Sequence, residues 1–363
     1  MGGAALLYNA AMAKDSQRGV LYRQYRPKTF DEVRGQGHVT NVLEKAIRNK
    51  KIAHAYLFSG SRGTGKTSVA RILAHELGVS AKDLYEIDAA SNRGIDDIRS
   101  LREGVHAMPF ESPYKFYIID EAHMLTKDAW NAFLKTLEEP PSHAIFVLAT
   151  TERDKIPETI QSRCEIYSFK QPTREMLAEV VADVAKKEGF SLERSAAELM
   201  ALLAEGSFRD ALSILQKVLA VSDNKKVEVA EVEAVSGAPR GELVRQLLKA
   251  IAKKDANAAL KAIHVAVSEN MNARILARLL IHRMRVVLLI RYAPDIAKEL
   301  SKELSAEDAE VAREVSKEPG VNSETLRVLL SAYATMAYAA VPHLPLELAV
   351  IDITEKQLKS GGK

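Results

Sequence analysis

Among its 363 residues the sequence has one cysteine, Cys164. One cysteine cannot close an internal disulfide, and no Cys/His set stands at metal-ligand spacing. A disulfide-stapled secreted fold and a structural zinc site are therefore not expected, and a reducing compartment, the cytoplasm, is the simplest setting. No apolar run is long enough to span a bilayer. The most apolar stretches are cut by Arg283 and Arg285, or by Pro342, His343, Pro345 and Glu347, so no membrane partner is expected. The opening MGGAALLYNA has no basic residues ahead of its apolar ones, which argues against a signal peptide. There is no low-complexity tract and no internal repeat. Charge of one sign is also scarce, with a net of only +3, which excludes a histone-like binder held by charge alone. One local exception is residues 21–51, where eight lysines and arginines face three acids. That stretch reads either as a solvated face or as a patch for nucleic acid.

What is present is a globular balance, with 47% hydrophobic and 27% charged residues over a length that suits two or three domains. Five short apolar runs read as buried strands: 54–59, 84–88, 114–120, 144–150 and 165–169. Helical patterns follow Gly65 and cover about 95–107 and 127–138. This alternation predicts an α/β domain whose five-stranded parallel sheet carries helices on both faces. After Phe169 the strand signal stops. Thr173 can cap a helix to about Glu188, Ser195 and Glu198 suggest a capping box for the next, and a third runs from Arg209 to about Val221. Ser236-Gly-Ala-Pro239 reads as a break between domains, and the rest is helical to about Gln357. The expected organisation is a leader (1–20), a nucleotide-binding domain (21–171), a small helical lid (172–236), an all-α domain (237–358) and a tail (359–363).

Gly60-Ser61-Arg62-Gly63-Thr64-Gly65-Lys66-Thr67 is a complete G-x-x-x-x-G-K-[ST] motif between a strand and a helix. Its glycines let backbone N–H groups point at phosphate oxygens, and the helix N-terminus favours the negative charge. Lys66 is expected to pair with the β- and γ-phosphates of ATP, and the Thr67 hydroxyl to ligate Mg2+; Ser68 closes the expected nucleotide-binding run. A plain Gly-rich turn is the alternative. Phe116-Tyr-Ile-Ile-Asp120-Glu121 ends a strand in two carboxylates. Asp120 is placed to hold magnesium and Glu121 to polarise an attacking water. In Ala149-Thr150-Thr151 a hydroxyl could reach the γ-phosphate, or the threonine could be a turn residue. Arg163 and Arg209 are either surface or ion-pair residues, or cations that stabilise charge on the transferring phosphate.

These residues, together with Leu21-Tyr-Arg-Gln-Tyr-Arg-Pro27, Gly35-Gln36, His54-Ala-Tyr-Leu-Phe-Ser-Gly60, Glu86-Ile-Asp-Ala-Ala-Ser91, Ile119-Asp-Glu-Ala-His-Met-Leu125, Leu134-Lys-Thr-Leu-Glu-Glu-Pro-Pro141 and Ser162-Arg-Cys164, resemble the gamma/tau family of bacterial DNA polymerase III clamp-loader subunits. The match is close from residue 21 to about 222 and looser but collinear beyond. The resemblance implies a P-loop AAA+ domain, a helical lid and a collar that joins subunits into a pentameric ring. It implies that Lys66 and Thr67 form the Walker A pair and Asp120 and Glu121 the Walker B pair. Thr151 matches sensor 1, Arg209 sensor 2, and Arg163 the arginine finger acting on a neighbour's ATP. Tyr22, Arg26 and Pro27 fall where the family holds adenine. The implied partners are a sliding clamp, delta and delta-prime type subunits and primer–template DNA. The helix start after Ser91-Asn92-Arg93-Gly94 is an expected DNA contact through Asn92 and Arg93; an ordinary N-cap loop is the alternative.

The sequence departs from the family pattern where a four-cysteine zinc module is usual, because Leu77-Gly-Val-Ser-Ala-Lys-Asp-Leu84 bridges that gap directly. Zinc is therefore not expected. Arg34 replaces a usually apolar residue, and the long tau-type extension is absent from this sequence, either natively or by truncation. Another AAA+ DNA-processing ATPase, such as a branch-migration helicase, a replication factor C-like small subunit, and a non-catalytic nucleotide-binding scaffold are the competing functions. A finger that reaches a neighbour is expected on the far edge of the sheet from its own P-loop.

Overall fold

The structure, a computed structural model, describes residues 19–92, 94–300, 306–318 and 320–355. Most of the expected leader, and the tail, lie outside the described residues. The chain divides into two compact units. One takes the chain up to Val184 together with Ala204–Gln216; the other takes Ala185–Leu203 and Lys217 onward.

The first unit is built on five parallel strands: β1 (Ala55–Ser59), β2 (Leu84–Asp88), β3 (Lys115–Asp120), β4 (Ala144–Thr150) and β5 (Glu165–Ser168). Their order across the sheet is β2-β3-β4-β1-β5. All seven residues of β4 are buried, which explains its unbroken apolar run: a strand covered on both faces has no polar side. Alternate residues serve two cores. Leu57, Tyr117, Ile119, Phe146 and Leu148 meet helices Ile95–His106 and Lys127–Glu138 through Ile98, Trp130 and Phe133. Tyr56, Phe58, Phe116, Ile118, Ile145 and Val147 meet helices α1 (Gly37–Arg48) and α2 (Lys66–Glu76) on the other face. The expectation of five buried strands fails for β2 and β5. Both are edge strands, half-buried to exposed, because each has a neighbour on one side only.

Two predicted helix signals resolve differently in the second unit. The Ser195/Glu198 capping box does not form. Helix Arg194–Leu203 starts two residues before the position that box would give, the Ser195 hydroxyl is buried without a partner, and Glu198 accepts from Arg194. A capping box does form at Glu228 and Glu231, ahead of helix Val229–Ser236. Strand structure also continues past Phe169, in a two-residue pairing of Ser191–Leu192 with Lys226–Val227 that is too short to leave a periodic signal. Gly237 ends its helix in the left-handed conformation (φ 66°), so Ser236–Pro239 is a helix break within this unit. The remaining helices pack around Leu247, Ile251, Ile263, Leu276, Leu280 and Leu329.

Inside that helical unit Asp308 bridges two arginines, Arg283 at 2.6 Å and Arg245 at 3.2 Å. All three side chains are largely buried. Removing the carboxylate charge takes the ion-pair partner from the desolvated Arg283 guanidinium, whereas Arg245 keeps Glu242 and Glu307, each at 2.9 Å. Asp308→Asn is therefore expected to lower the unfolding free energy by about 3 kcal/mol, read as a fall in the urea midpoint of the full chain. An unchanged midpoint would show that solvent already screens the cluster.

Candidate nucleotide site

The strand register brings the predicted chemistry to one edge. Ser59 pairs with Thr150 and Asp88 with Asp120, so the strands end level and their following loops share a rim. The segment 60–65 leaves β1 there and opens α2. Gly60, Gly63 and Gly65 have φ of 148°, 73° and 103°. Gly63 is required for space as well. A Cβ there would lie 2.0 Å from the Ser207 hydroxyl, and Gly63 O accepts from Phe208 N at 3.1 Å. No side chain caps α2, which leaves its first N–H groups to another acceptor. The buried Lys66 ammonium donates to the carbonyls of Gly60 (2.7 Å) and Ser61 (2.8 Å). Desolvation lowers its pKa, opposed by the nearby Glu121 and Asp120. A buried cation held only by carbonyls beside uncapped N–H groups suits a phosphate chain. Thr64 is buried, Ser61 and Arg62 are exposed, and Ser68 is half-buried on α2.

Thr67 donates its hydroxyl to Asp120 at 2.8 Å. A hydroxyl and a carboxylate side by side form a donor set for a hard cation such as Mg2+. Among the described residues no group of three or more His, Cys, Asp or Glu stands close enough to hold a metal by itself. The next residue, Glu121, has φ 47°. A non-glycine side chain in this region carries a conformational cost of order 1–2 kcal/mol. Here it turns the carboxylate back toward the rim, where it accepts from Thr151 at 3.2 Å. Lys66, Thr67, Asp120, Glu121 and Thr151 thus form one cluster.

His123, whose side chain is 7% exposed, extends this cluster. Its Nδ1 lies 3.0 Å from the Thr150 hydroxyl and 3.6 Å from a Glu121 oxygen; its Nε2 lies 3.3 Å from a Glu152 oxygen. Glu152 N also donates to Thr150 Oγ1 at 3.0 Å. In the tautomer that carries its proton on Nε2 the ring donates to Glu152 and accepts from the Thr150 hydroxyl through Nδ1. Sequence reasoning assigned no role to His123 or Glu152. His123 was visible beside the carboxylate pair, but its partners come from the end of the neighbouring strand.

A cleft of about 400 Å³ is lined by Tyr22, Arg23, Arg26, Arg71 and Arg209. The Arg209 guanidinium lies 4.8 Å from the Tyr22 ring centroid. Arg71 pairs with Glu86 at 2.5 Å. Burial and the neighbouring Arg71 hold Arg26 below its usual pKa, opposed by Glu86 and Asp120. Four arginines against one paired acid make the cleft attractive to an anion. Tyr22, Arg26 and Arg209 come together in this cleft, whereas Pro27 is not part of its lining. Gln36, quoted in a motif but given no role, is fully buried. Its amide donates to Lys170 O at 2.7 Å and Thr64 O at 3.4 Å, tying the glycine-rich loop to the segment after β5.

Arg163 stands apart from these groups. It donates to Glu138 (2.6 Å) and to Thr159 O (2.6 Å). The expectation that it lies on the far edge from the P-loop needs correction, because β5 is next to β1. Separation runs along the strands instead: Glu165 is level with Tyr56, so Arg163 lies at the opposite end of the sheet from Gly60. Adjacent Cys164 is packed on the core, and burial pushes its thiol up to about 12, so it is not a nucleophile. Asn92 is exposed and donates to Asp88 O at 3.1 Å, an ordinary loop contact. Arg93, the other expected DNA contact, lies outside the described residues.

Comparison with known proteins bears on this geometry. A family model described as "DNA polymerase III, delta subunit" matches residues 35–83 and 78–173, and one described as "DNA polymerase III clamp loader subunit, ATPase lid domain" matches 177–224. The chain is 37% identical to DNA polymerase III subunit tau of Bacillus subtilis, over 94% of this chain and 64% of that protein. It is 42% identical to DNA polymerase III subunit gamma/tau of Mycoplasma pneumoniae, over 60% of this chain and 35% of that protein. The chain thus spans less than two thirds of either relative. The RuvB Holliday junction branch migration motor of Thermotoga maritima superposes with a TM-score of 0.51 at 24% identity, over 62% of this chain and 79% of that one. That likeness establishes the AAA+ fold and no more.

Proposed function

The chain belongs to the gamma/tau family of DNA polymerase III clamp-loader subunits, and from that premise we propose that it is an ATP-hydrolysing motor subunit of a sliding-clamp loader. The observation that carries this is the convergence of Lys66, Thr67, Asp120, Glu121 and Thr151 on one rim. Lys66 and the N-terminus of α2 hold the ATP phosphates, and Thr67 with Asp120 hold Mg2+, which neutralises charge on them. Glu121 orients and polarises the attacking water, with Thr151 fixing its carboxylate. Tyr22 and Arg26 frame the base, and Arg209 leaves Tyr22 to read the γ-phosphate. Arg163 faces away from its own nucleotide and serves the next subunit in a pentameric ring that includes delta and delta-prime type subunits. Nucleotide-dependent closure of that ring opens the clamp and loads it on primer–template DNA, and hydrolysis releases it. DNA is met at the helix start near Asn92 and Arg93.

The competing motor, a branch-migration helicase, shares the fold. ATPase rate separates them: a clamp-loader motor is stimulated by clamp and primed DNA together, a helicase by DNA alone, a scaffold by neither. Within this test Lys66→Ala is expected to weaken ATP binding about 100-fold, the worth of one charge-assisted phosphate contact. Wild-type affinity in that variant, measured by equilibrium titration, would remove the nucleotide site from this rim.

A further inference from the structure

The network around His123 continues past the hydrolytic cluster. Glu152 places one carboxylate oxygen 3.3 Å from His123 Nε2 and the other 2.8 Å from Lys155. The next residue, Arg153, donates from Nε to Gln161 Oε1 at 3.0 Å. Gln161 donates to Ile156 O at 2.8 Å and accepts, through its own carbonyl, from Cys164 N at 3.2 Å. Arg163 N in turn donates to Ile160 O at 3.1 Å. Polar contacts, joined by the peptide links Thr150–Thr151 and Glu152–Arg153, therefore run from the Glu121–Thr151 pair through His123, Glu152, Arg153 and Gln161 to the backbone that carries Arg163. The ring of His123 is nearly closed off from solvent, so its two contacts cannot be exchanged freely for water.

We propose that His123, with Glu152 and Gln161, is a positioning relay that ties the state of a subunit's own hydrolytic carboxylate to the arginine it presents to its neighbour. The inference rests on the reading of Arg163 as a finger acting in trans. Thr151 holds Glu121, and the adjoining Thr150 holds His123. A change in the nucleotide that moves the Thr150–Thr151 turn therefore shifts His123 and Glu152 together. The short helix Glu158–Gln161 then moves through Arg153, and Arg163 with it. Contiguous packing alone does not establish coupling, which requires that both ends respond to one element. Here that element is the turn after β4, where the Thr151 hydroxyl meets Glu121 and the Thr150 hydroxyl meets His123.

The test uses assembled rings built from two kinds of subunit. One carries Lys66→Ala and binds no nucleotide tightly; the other carries Arg163→Ala and keeps its P-loop. Hydrolysis then occurs only where an intact P-loop meets an intact finger from a Lys66→Ala neighbour. Adding His123→Ala or Gln161→Ala to the Lys66→Ala subunit touches a chain that hydrolyses nothing itself, so any loss is delivered through its finger. Both additions are expected to slow single-turnover hydrolysis about tenfold, while His123→Gln, which keeps a donor for Glu152, retains most of the rate. Mass measurement of the rings checks that each variant is incorporated. If His123→Ala fails to enter the ring, Gln161→Ala, nearer the surface, decides alone. An unchanged rate in Gln161→Ala overturns the relay, whatever His123→Ala does. A mixture that is inactive before either addition overturns the trans reading of Arg163, and the relay with it.

Discussion

Arg163→Ala is expected to slow ATP hydrolysis by the assembled ring about 10³-fold while leaving ATP binding by its own subunit nearly unchanged. The two halves of this expectation come from position. Arg163 precedes β5 at the end of the sheet away from Gly60, so it cannot reach its own phosphates without rearrangement of the strand. Its guanidinium rests instead on Glu138, a half-exposed pair. Losing such a pair costs less than about 1 kcal/mol of stability, too little to unfold the subunit. A folding defect would lower nucleotide binding and hydrolysis together, whereas a missing finger lowers hydrolysis alone. Mixing Arg163→Ala with Lys66→Ala subunits separates the possibilities further. If mixed rings form and never exceed the sum of their parents, Arg163 does not act across the interface.

Glu121→Gln is expected to keep ATP affinity and to lower hydrolysis about 10³-fold, within the range for removal of a general base. The amide has the shape of the carboxylate and can still accept from Thr151, so the turn at φ 47° is kept. What disappears is the negative charge proposed to orient and deprotonate water. In the proposed site binding depends on Lys66 and the N-terminus of α2, which the substitution does not touch. The ring carrying it is expected to remain on the clamp if, as proposed, release follows hydrolysis. Chemical-quench measurement of a single turnover reads the step directly. Normal turnover would assign the base elsewhere, and a parallel loss of affinity would show that Glu121 shapes the pocket as a whole.

Local chemistry was legible without a structure. The glycine-rich segment 60–67 needs only its own backbone freedom and the strand and helix on either side. The strands 84–88 and 144–150 were bounded to the residue because apolar runs and their polar ends are properties of contiguous sequence. The cap of Thr173 on Met176 N was readable for the same reason. The Ser195/Glu198 box failed because Arg194 offers Glu198 a charged partner one turn back, which beats a backbone N–H. Likewise the exposed character of β2 and β5 is invisible in their composition. It follows from having one neighbouring strand, and strand order is set by long-range packing.

Sequence by itself determined that this protein has a G-x-x-x-x-G-K-T loop, a carboxylate pair fifty-odd residues on, and candidate arginines in two later segments. Each is a short pattern whose chemistry is carried by adjacent residues. Tertiary structure alone decided who meets whom. The register of β1, β3 and β4 set Thr67 against Asp120 and Thr151 against Glu121, over separations of 53 and 30 residues. The placement of β5 beside β1 moved the separation of Arg163 from its own nucleotide onto the strand axis. The same register brought His123 between Thr150 and Glu152, giving a quiet motif histidine two partners. These are contacts across a parallel sheet, whose pairings depend on crossover helices and buried area rather than on neighbours along the chain.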